Sequence, residues 1–452
     1  MTRNERLAAW SLGLFAAVMR WPALSLTLWD WDEALFALAL RDYDVTAHHP
    51  HPPGFPLFIA AARLVPLDAF HALQTITFLS SLLVFPAMFF LARELRATPF
   101  VATASALLLS FLPNVWFFGG TAFSDVPSLV LVLAACALLL RGRTSDASLL
   151  AGAVVLGIAA GFRPQNLLIG FVPFVLAFRQ RRRTALAGAF IIAVIVVASF
   201  GAAASLSGGW EMYRETLTRH ERYIREADSF LSPIRPWLPQ VADDFFIRPF
   251  RALPINLAIA LLALLGLRRR PWLALAIFGP FLLFAWLYLD FHSASRFSIA
   301  YMPLFALLAA EGIPSRGRSV TLAALTALLI VWTWPVLRVV HTTPSPTFAA
   351  LTSLDAPVVY VDERLAAHAD LLLPHAQRHR VRITPQLALP AGAVLVKEGA
   401  SNAPGARNFT RDRERLEGIA RARYFEVSVH RPRRDPSSAL RAPSPRAGEK
   451  GY

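Results

Sequence analysis

The chain is 452 residues long, 55% hydrophobic and only 17% charged, with a formal net charge of +15 and a mean hydropathy of +0.47. A soluble globular protein carries about 25% charged residues, so a water-soluble fold is excluded, and apolar runs of about 17 to 23 residues recur at the length a helix needs to cross hydrocarbon. The basic balance does not mark a nucleic-acid binder, because arginines recur in the short connectors between apolar runs, where they act as topology signals; the single cysteine, Cys136, rules out an internal disulfide.

In chain order, the charged start "TRNER" leads into a helix over 7–28. No small-residue cleavage site follows it, so it reads as a retained helix rather than a removed signal. Further helices are expected over 70–92, 98–113, 125–140, 147–162, 164–178, 184–206, 251–267, 272–289, 297–311 and 320–337. With about eleven spans, the basic connectors "TRNER", "RELR", "RGR", "RQRRR", "RRRP" and "SRGR" all fall on one side. The positive-inside rule makes that side cytoplasmic, with the N-terminus in and the C-terminus out. The outer connections are then 29–69, 114–124, the turn at Arg163-Pro164, 207–250, 290–296 and everything after 338. Within 207–250, "WEMYRETLTRHERYIREADSF" balances its arginines with Glu211, Glu215, Glu221 and Glu226, and reads as an amphipathic helix at the membrane interface.

After Arg338 the texture changes. "APVVYVDERLAAHADLLLPHAQRHRVRI" reads as strand, helix, strand; "AGAVLVKEG" and "RYFEVSVHR" read as further strands, with a polar helical stretch near Arg411 to Arg421. The tail, rich in Pro, Ser and Arg, has the composition of a disordered segment. The expected fold is an α-helical polytopic membrane protein with a small C-terminal extracytoplasmic α/β domain: a transmembrane module over 1–340, the α/β domain over 341–430 and the tail over 431–452. The richness in Ala, Leu and Arg suggests a GC-rich bacterial genome, hence a multi-pass plasma-membrane protein with its outer side in the periplasm.

The outer connection 29–69 carries the densest chemistry. Asp30, Asp32 and Glu33 stand at the outer end of the first span. Ionisable groups at membrane depth are expensive and usually functional, whereas acids at a solvated helix end are the plain alternative. "EALFALALRDYD" is amphipathic, with Leu35, Leu38 and Leu40 apolar, and is expected along the interface. "HHPHPPGFP" follows as a stiff, irregular loop, since each residue before a proline is pushed extended. Irregular backbone near lipid needs cover from protein or water, so this loop is expected to fold back and line a cavity. His48, His49 and His51 with nearby carboxylates offer ligands for a divalent ion, but their spacing matches no standard zinc pattern. A metal is therefore possible and none is required.

Three more segments lie on the same outer side. In "TAFSDVPSL", Asp125 either caps its helix or belongs to a site. In "GFRPQNLLIGFVP", Arg163 and Gln165 either sit at a tight turn with a snorkelling arginine or reach inward. In "LDFHSASRF", Asp290, His292 and Arg296 either anchor at the interface or line a cleft. Carboxylates on one wall and arginines on another suit a phosphate-bearing substrate, because guanidinium grips phosphate in a bidentate fork.

At these residues the chain resembles the GT-C superfamily of lipid-sugar-dependent glycosyltransferases, most nearly the protein-mannosyltransferase and aminoarabinose-transferase branch. The resemblance rests on "WDE" with Asp32 and Glu33, on "HPPGFPLF" from His51 to Phe58, and on "SRFSIAYMPLFALLAAEG", which has Phe297 where tyrosine is usual. "SDVPSL" and "RPQ" also look like pieces seen there, and the likeness covers roughly 7–311. It implies a polyprenyl-phosphate sugar donor at the outer leaflet and attack by an acceptor hydroxyl, on lipid, glycan or protein, at the anomeric carbon. It implies Asp32 as general base with Glu33 beside it, and His51, Arg296 and Arg163 on the donor phosphate; Asp125, His292 and Gln165 complete the substrate-binding set. The residue types agree: a phosphate leaving group with a second pKa near about 6 needs cations rather than a proton donor, and the acceptor hydroxyl needs one carboxylate base. The competing readings are a transporter or flippase of lipid-linked saccharides, against which the lack of visible repeats speaks, and an assembly protein working through its C-terminal domain.

Overall fold

The computed structural model describes residues 1–233, 237–247, 253–269, 271–290, 293–384, 387, 389–390, 393–411 and 426–431. The first half of the chain forms α1 (Arg3–Val18), α2 (Trp31–Arg41), α3 (Pro56–Arg63), α4 (Ala69–Leu82), α5 (Val84–Glu94), α6 (Pro99–Phe111), α7 (Pro113–Phe118), α8 (Asp125–Arg141), α9 (Asp146–Phe162), α10 (Asn166–Gln180), α11 (Arg182–Leu206) and α12 (Trp210–Tyr223). After it come α13 (Leu238–Ala242), α14 (Leu253–Leu267), α15 (Trp272–Tyr288), the single turn α16 (Ala294–Phe297), α17 (Met302–Gly312) and α18 (Arg318–Thr342). Each apolar run expected to be helical contains helix among the described residues, and the amphipathic helix expected in the 207–250 connection is α12.

The differences have local causes. The first helix stops at Val18, well short of 28, and a 3₁₀ turn at Trp21–Ala23 follows; Pro22 has no N–H to donate and disfavours helix in the residue before it. The run over 70–92 is two helices, α4 and α5, bent by 42° at Leu83. The run over 297–311 opens with α16 and a 3₁₀ turn, Ser298–Tyr301, before α17 starts at Met302 with Pro303 in its first turn. Helix α2 does not lie out along an interface: all of Glu33 to Ala39 is buried. Among the described residues, α11 and the helix beginning at Arg318 are each long and apolar enough to cross a membrane, and α4 with α5 make a third candidate as a bent pair. The remaining apolar helices are shorter.

Small residues let the helices pack closely. Gly266 of α14 and Gly312 of α17 face the partner backbone so tightly that a Cβ on either would collide with a carbonyl, of Leu308 and Leu262 respectively. Such small-residue contacts are how helices associate where lipid removes the hydrophobic driving force.

The chain divides into two compact units. One contains Met1–Pro344; the other contains Ser345–Arg411 together with the strand at Glu426–His430. The second unit starts with α19 (Pro346–Thr352) and runs β1 (Val358–Asp362), α20 (Ala366–Leu372), β2 (Gln377–Val381), β3 (Val394–Glu398), β4 (Arg407–Thr410) and β5 (Glu426–His430). Its sheet has the order β2-β1-β3-β5-β4, parallel from β2 to β3 and antiparallel where β5 pairs with β3 and β4. Leu351, Val359, Val361, Val396 and Val427 form its core. Strand β4 was not expected. The polar helical stretch expected near Arg411 to Arg421 falls, after Arg411, outside the described residues, as does the tail from 432 onward.

Candidate active site

The acidic opening of α2 sorts itself by hydrogen bonding. Asp30 is the N-cap, its Oδ1 accepting the Asp32 N–H at 3.0 Å. Glu33 answers as the other half of a capping box, its Oε2 accepting the N–H of Asp30 at 2.9 Å and of Trp29 at 2.6 Å. Its Oε1 accepts the Ala122 N–H at 2.9 Å, tying α2 to the loop before α8. Burial pushes the Glu33 carboxyl up to about 7, against the pull of these three N–H donors. Asp30 and Glu33 thus serve the backbone, and Asp32 is the carboxylate of this group that meets side-chain cations.

Asp32 Oδ2 lies 2.6 Å from an Arg296 guanidinium nitrogen. Arg296 is 5% exposed and its guanidinium lies over the rings of Phe123 and Phe297, at 4.6 and 4.9 Å. Its Nε is 3.9 Å from Asp125 Oδ2. The same Asp125 oxygen accepts from Arg163 at 2.7 Å, and Arg163 Nε donates to Ser124 Oγ at 3.0 Å. Arg163 also lies over the Phe55 ring, at 5.3 Å. The result is a chain of alternating charge, Asp32–Arg296–Asp125–Arg163, drawn from α2, α16, the start of α8 and the turn before α10. The Asp125 carboxylate turns to the two arginines, and Arg163 reaches inward. A charged row of this kind in an apolar bundle is retained only where its members pair.

The loop between α2 and α3 supplies the third wall. Asp44 and His49 exchange backbone hydrogen bonds at 2.7 and 2.8 Å. Gly54, at φ +104°, brings its carbonyl to the Tyr43 hydroxyl at 2.9 Å, and a Cβ there would meet that hydroxyl; only glycine tolerates this backbone cheaply. Ser207 accepts the Val45 N–H at 3.0 Å, and Tyr213 of α12 donates to the Pro53 carbonyl at 2.7 Å. The loop folds back as its prolines and its need for cover suggested, and it sets His51 Nδ1 3.7 Å from Asp32 Oδ1. Burial holds the His51 imidazole down to about 3, more than Asp32 raises it, so the ring is neutral near pH 7. Among the described residues, no group of three or more His, Cys, Asp and Glu is arranged to hold a metal ion.

Gln165 lies beside this row. Its buried Oε1 has no hydrogen-bond partner among the described residues, and with Asp125, Arg163, Phe281 and Phe297 it borders a hollow of about 30 Å³, room for a water or two. Asp290 is buried and accepts from Ser293 Oγ at 2.9 Å; His292 lies outside the described residues.

Two contributors have no sequence signal of their own. Asn114, fully buried in α7, donates to the Ser295 carbonyl and to Ser298 Oγ, both at 3.0 Å, and so clasps the turn that bears Arg296. His220, near the end of α12, brings its ring centroid 6.4 Å from that of His51. A lone Asn in an apolar stretch and a His in an amphipathic helix are common everywhere, and only the tertiary fold distinguishes these two.

No family model matches the chain, and no curated protein matches it. Solved structures do. The apo structure of ArnT from Cupriavidus metallidurans superposes with a TM-score of 0.55 at 15% identity, covering 94% of this chain and 98% of that one. ArnT with undecaprenyl phosphate bound gives 0.54 at 14% identity, covering 95% and 98%. The apo oligosaccharyltransferase of Archaeoglobus fulgidus gives 0.51 at 12% identity over 82% of this chain, which spans 64% of that protein's length. At these identities the likeness is one of fold.

Proposed function

On the premise of the GT-C fold, which this chain carries, we propose that it is an integral-membrane glycosyltransferase that takes a sugar from a polyprenyl-phosphate donor. The carrying observation is the 2.6 Å pairing of Asp32 with Arg296, extended through Asp125 to Arg163. Undecaprenyl phosphate bound to the similarly folded ArnT supports a lipid phosphate as the sugar carrier. Acids balance the arginines of the 207–250 connection, and the six basic connectors fall on the opposite side, which supports a site opening on the extracytoplasmic side.

In this reading, the donor phosphate takes the guanidinium of Arg296 from Asp32, with Arg163 as the second cation. Asp32, released, accepts the proton of the acceptor hydroxyl. The acceptor oxygen bonds to the anomeric carbon, the bond from that carbon to the phosphate oxygen breaks, and its electron pair leaves on the phosphate. The transition state resembles an oxocarbenium ion, and the arginines stabilise the charge growing on the leaving group. Glu33 holds the N-terminus of α2 so that Asp32 points into the cleft. His51, neutral, contributes a polar contact and no charge; the positive charge comes from the two arginines. Asp125 spaces those arginines, and Gln165 offers an acceptor for a substrate hydroxyl.

The test is incubation of the purified protein with a panel of polyprenyl-phosphate sugars, reading released polyprenyl phosphate and glycosylated acceptor. Asp32→Asn is expected to remove transfer, a loss of about 10²–10⁴-fold for a general base, while the protein stays folded and inserted. Full activity of that variant would refute the assignment of Asp32.

A further inference from the structure

We infer that His51, His220 and His48 form a proton path that carries the acceptor's proton from Asp32 to solvent. The inference rests on the transferase reading above, in which Asp32 collects one proton per turnover and must lose it before the next.

The geometry is a ladder that ends on an exposed ring. Asp32 Oδ1 faces His51 Nδ1 at 3.7 Å, and that nitrogen is buried with no hydrogen-bond partner among the described residues. The His51 ring centroid lies 6.4 Å from that of His220, and His220 lies 6.4 Å from His48. His51 and His220 are half-buried and His48 is exposed. A water bridging neighbouring rings would hydrogen-bond to both. The three rings come from two elements held together by the Tyr213–Pro53 hydrogen bond at 2.7 Å, so the ladder is built rather than accidental.

The chemistry suits neutral imidazoles. A neutral ring holds one N–H and one lone pair, so it can accept a proton on one nitrogen as it releases one from the other. Burial lowers the proton affinity of all three rings, with their charged neighbours acting second: Asp32, Arg296, His220 and Arg163 on His51; His48 and Asp32 on His220; His49, Arg219 and Asp32 on His48. The rings therefore stay neutral and able to shuttle at physiological pH. Arginine, always protonated, cannot take this part, whereas the histidines can. The net reaction balances: the acceptor loses one proton, Asp32 holds it briefly, and it leaves through His51, His220 and His48 to bulk water.

The experiment compares wild type, His220→Ala and His220→Gln in the release assay, with and without added imidazole. The expected result is a fall in kcat on the order of tenfold in both variants, smaller than loss of the base itself, with KM for the donor unchanged. Added imidazole restores His220→Ala in proportion to its concentration, and the wild-type solvent isotope effect grows in the variants. A merely structural His220 would lower the melting temperature without rescue by imidazole. Wild-type kcat in either variant, or a loss that imidazole leaves untouched, overturns the proton path while the wild-type enzyme still transfers sugar. Absence of transfer by wild type itself overturns the transferase reading and the path with it.

Discussion

Neighbouring acids in one helical turn do different work here. Asp32 faces Arg296, whereas Glu33 is buried with three backbone N–H groups on its two oxygens. Glutamine in its place must turn an NH₂ toward at least one of those N–H donors, so Glu33→Gln is expected to cost about 1–3 kcal/mol of stability. The pH dependence has a defined sign. Burial raises the folded-state value from 4.5 to about 7, so between these two values the native state holds a proton that the unfolded chain has lost. Glu33's contribution is therefore complete below about 4.5 and is lost as pH rises through about 7, on the order of 3 kcal/mol at about 1.4 kcal/mol per unit. Thermal unfolding in detergent from pH 4.5 to 7.5 measures this, and Glu33→Gln is expected to flatten the slope. An unchanged slope removes Glu33 as its source. The sequence carried the presence of these acids but not their division of labour, because a capping box becomes visible only once the helix start is fixed at Trp31.

Among the elements, hydrophobic runs made the long helices legible, since an apolar stretch of helical length has few other stable forms in lipid. Short elements were not. The six-residue α7 and the single turn α16 lack the length for periodicity to show, yet they set the site, because α16 carries Arg296 and α7 carries the Asn114 side chain that holds it. Asn114→Ala removes both hydrogen bonds from α7 to the buried turn that bears Arg296. The expected outcome is a loss of about 1–3 kcal/mol in unfolding free energy and a fall in kcat, since displacing a positioning group by about 1 Å can cost on the order of 10²-fold. If melting falls while kcat stays at the wild-type value, α7 does not position Arg296. In the smaller unit the alternating valines exposed β1, β3 and β5, whereas the four-residue β4, polar and exposed on most of its length, looks like loop until β5 pairs with it.

At the scale of the whole molecule, four charges from distant parts of the chain meet in one row: Asp32, Asp125, Arg163 and Arg296. The sequence placed their segments on one side of a bundle. It could not show that Asp125 would lie between the arginines, because that depends on how α8, α10 and α16 pack. The row is electrically balanced although the chain carries +15, and this balance sets what the site holds best. A lipid-phosphate sugar is a phosphodiester with one negative charge. The lipid phosphate left after transfer has a second pKa near about 6 and carries nearly two. Two guanidiniums therefore attract product more strongly than donor, and increasingly so as pH rises through about 6. Free polyprenyl phosphate is accordingly expected to compete with the donor, with an inhibition constant that falls between pH 5.5 and 7.5. Arg296→Gln leaves one guanidinium and an uncompensated Asp32, so its inhibition constant should rise well above wild type and vary less over that range. Initial rates at several donor and product concentrations measure both. Equal inhibition at the two pH values, or an Arg296→Gln variant inhibited like wild type, would mean that the phosphate is held somewhere other than this row.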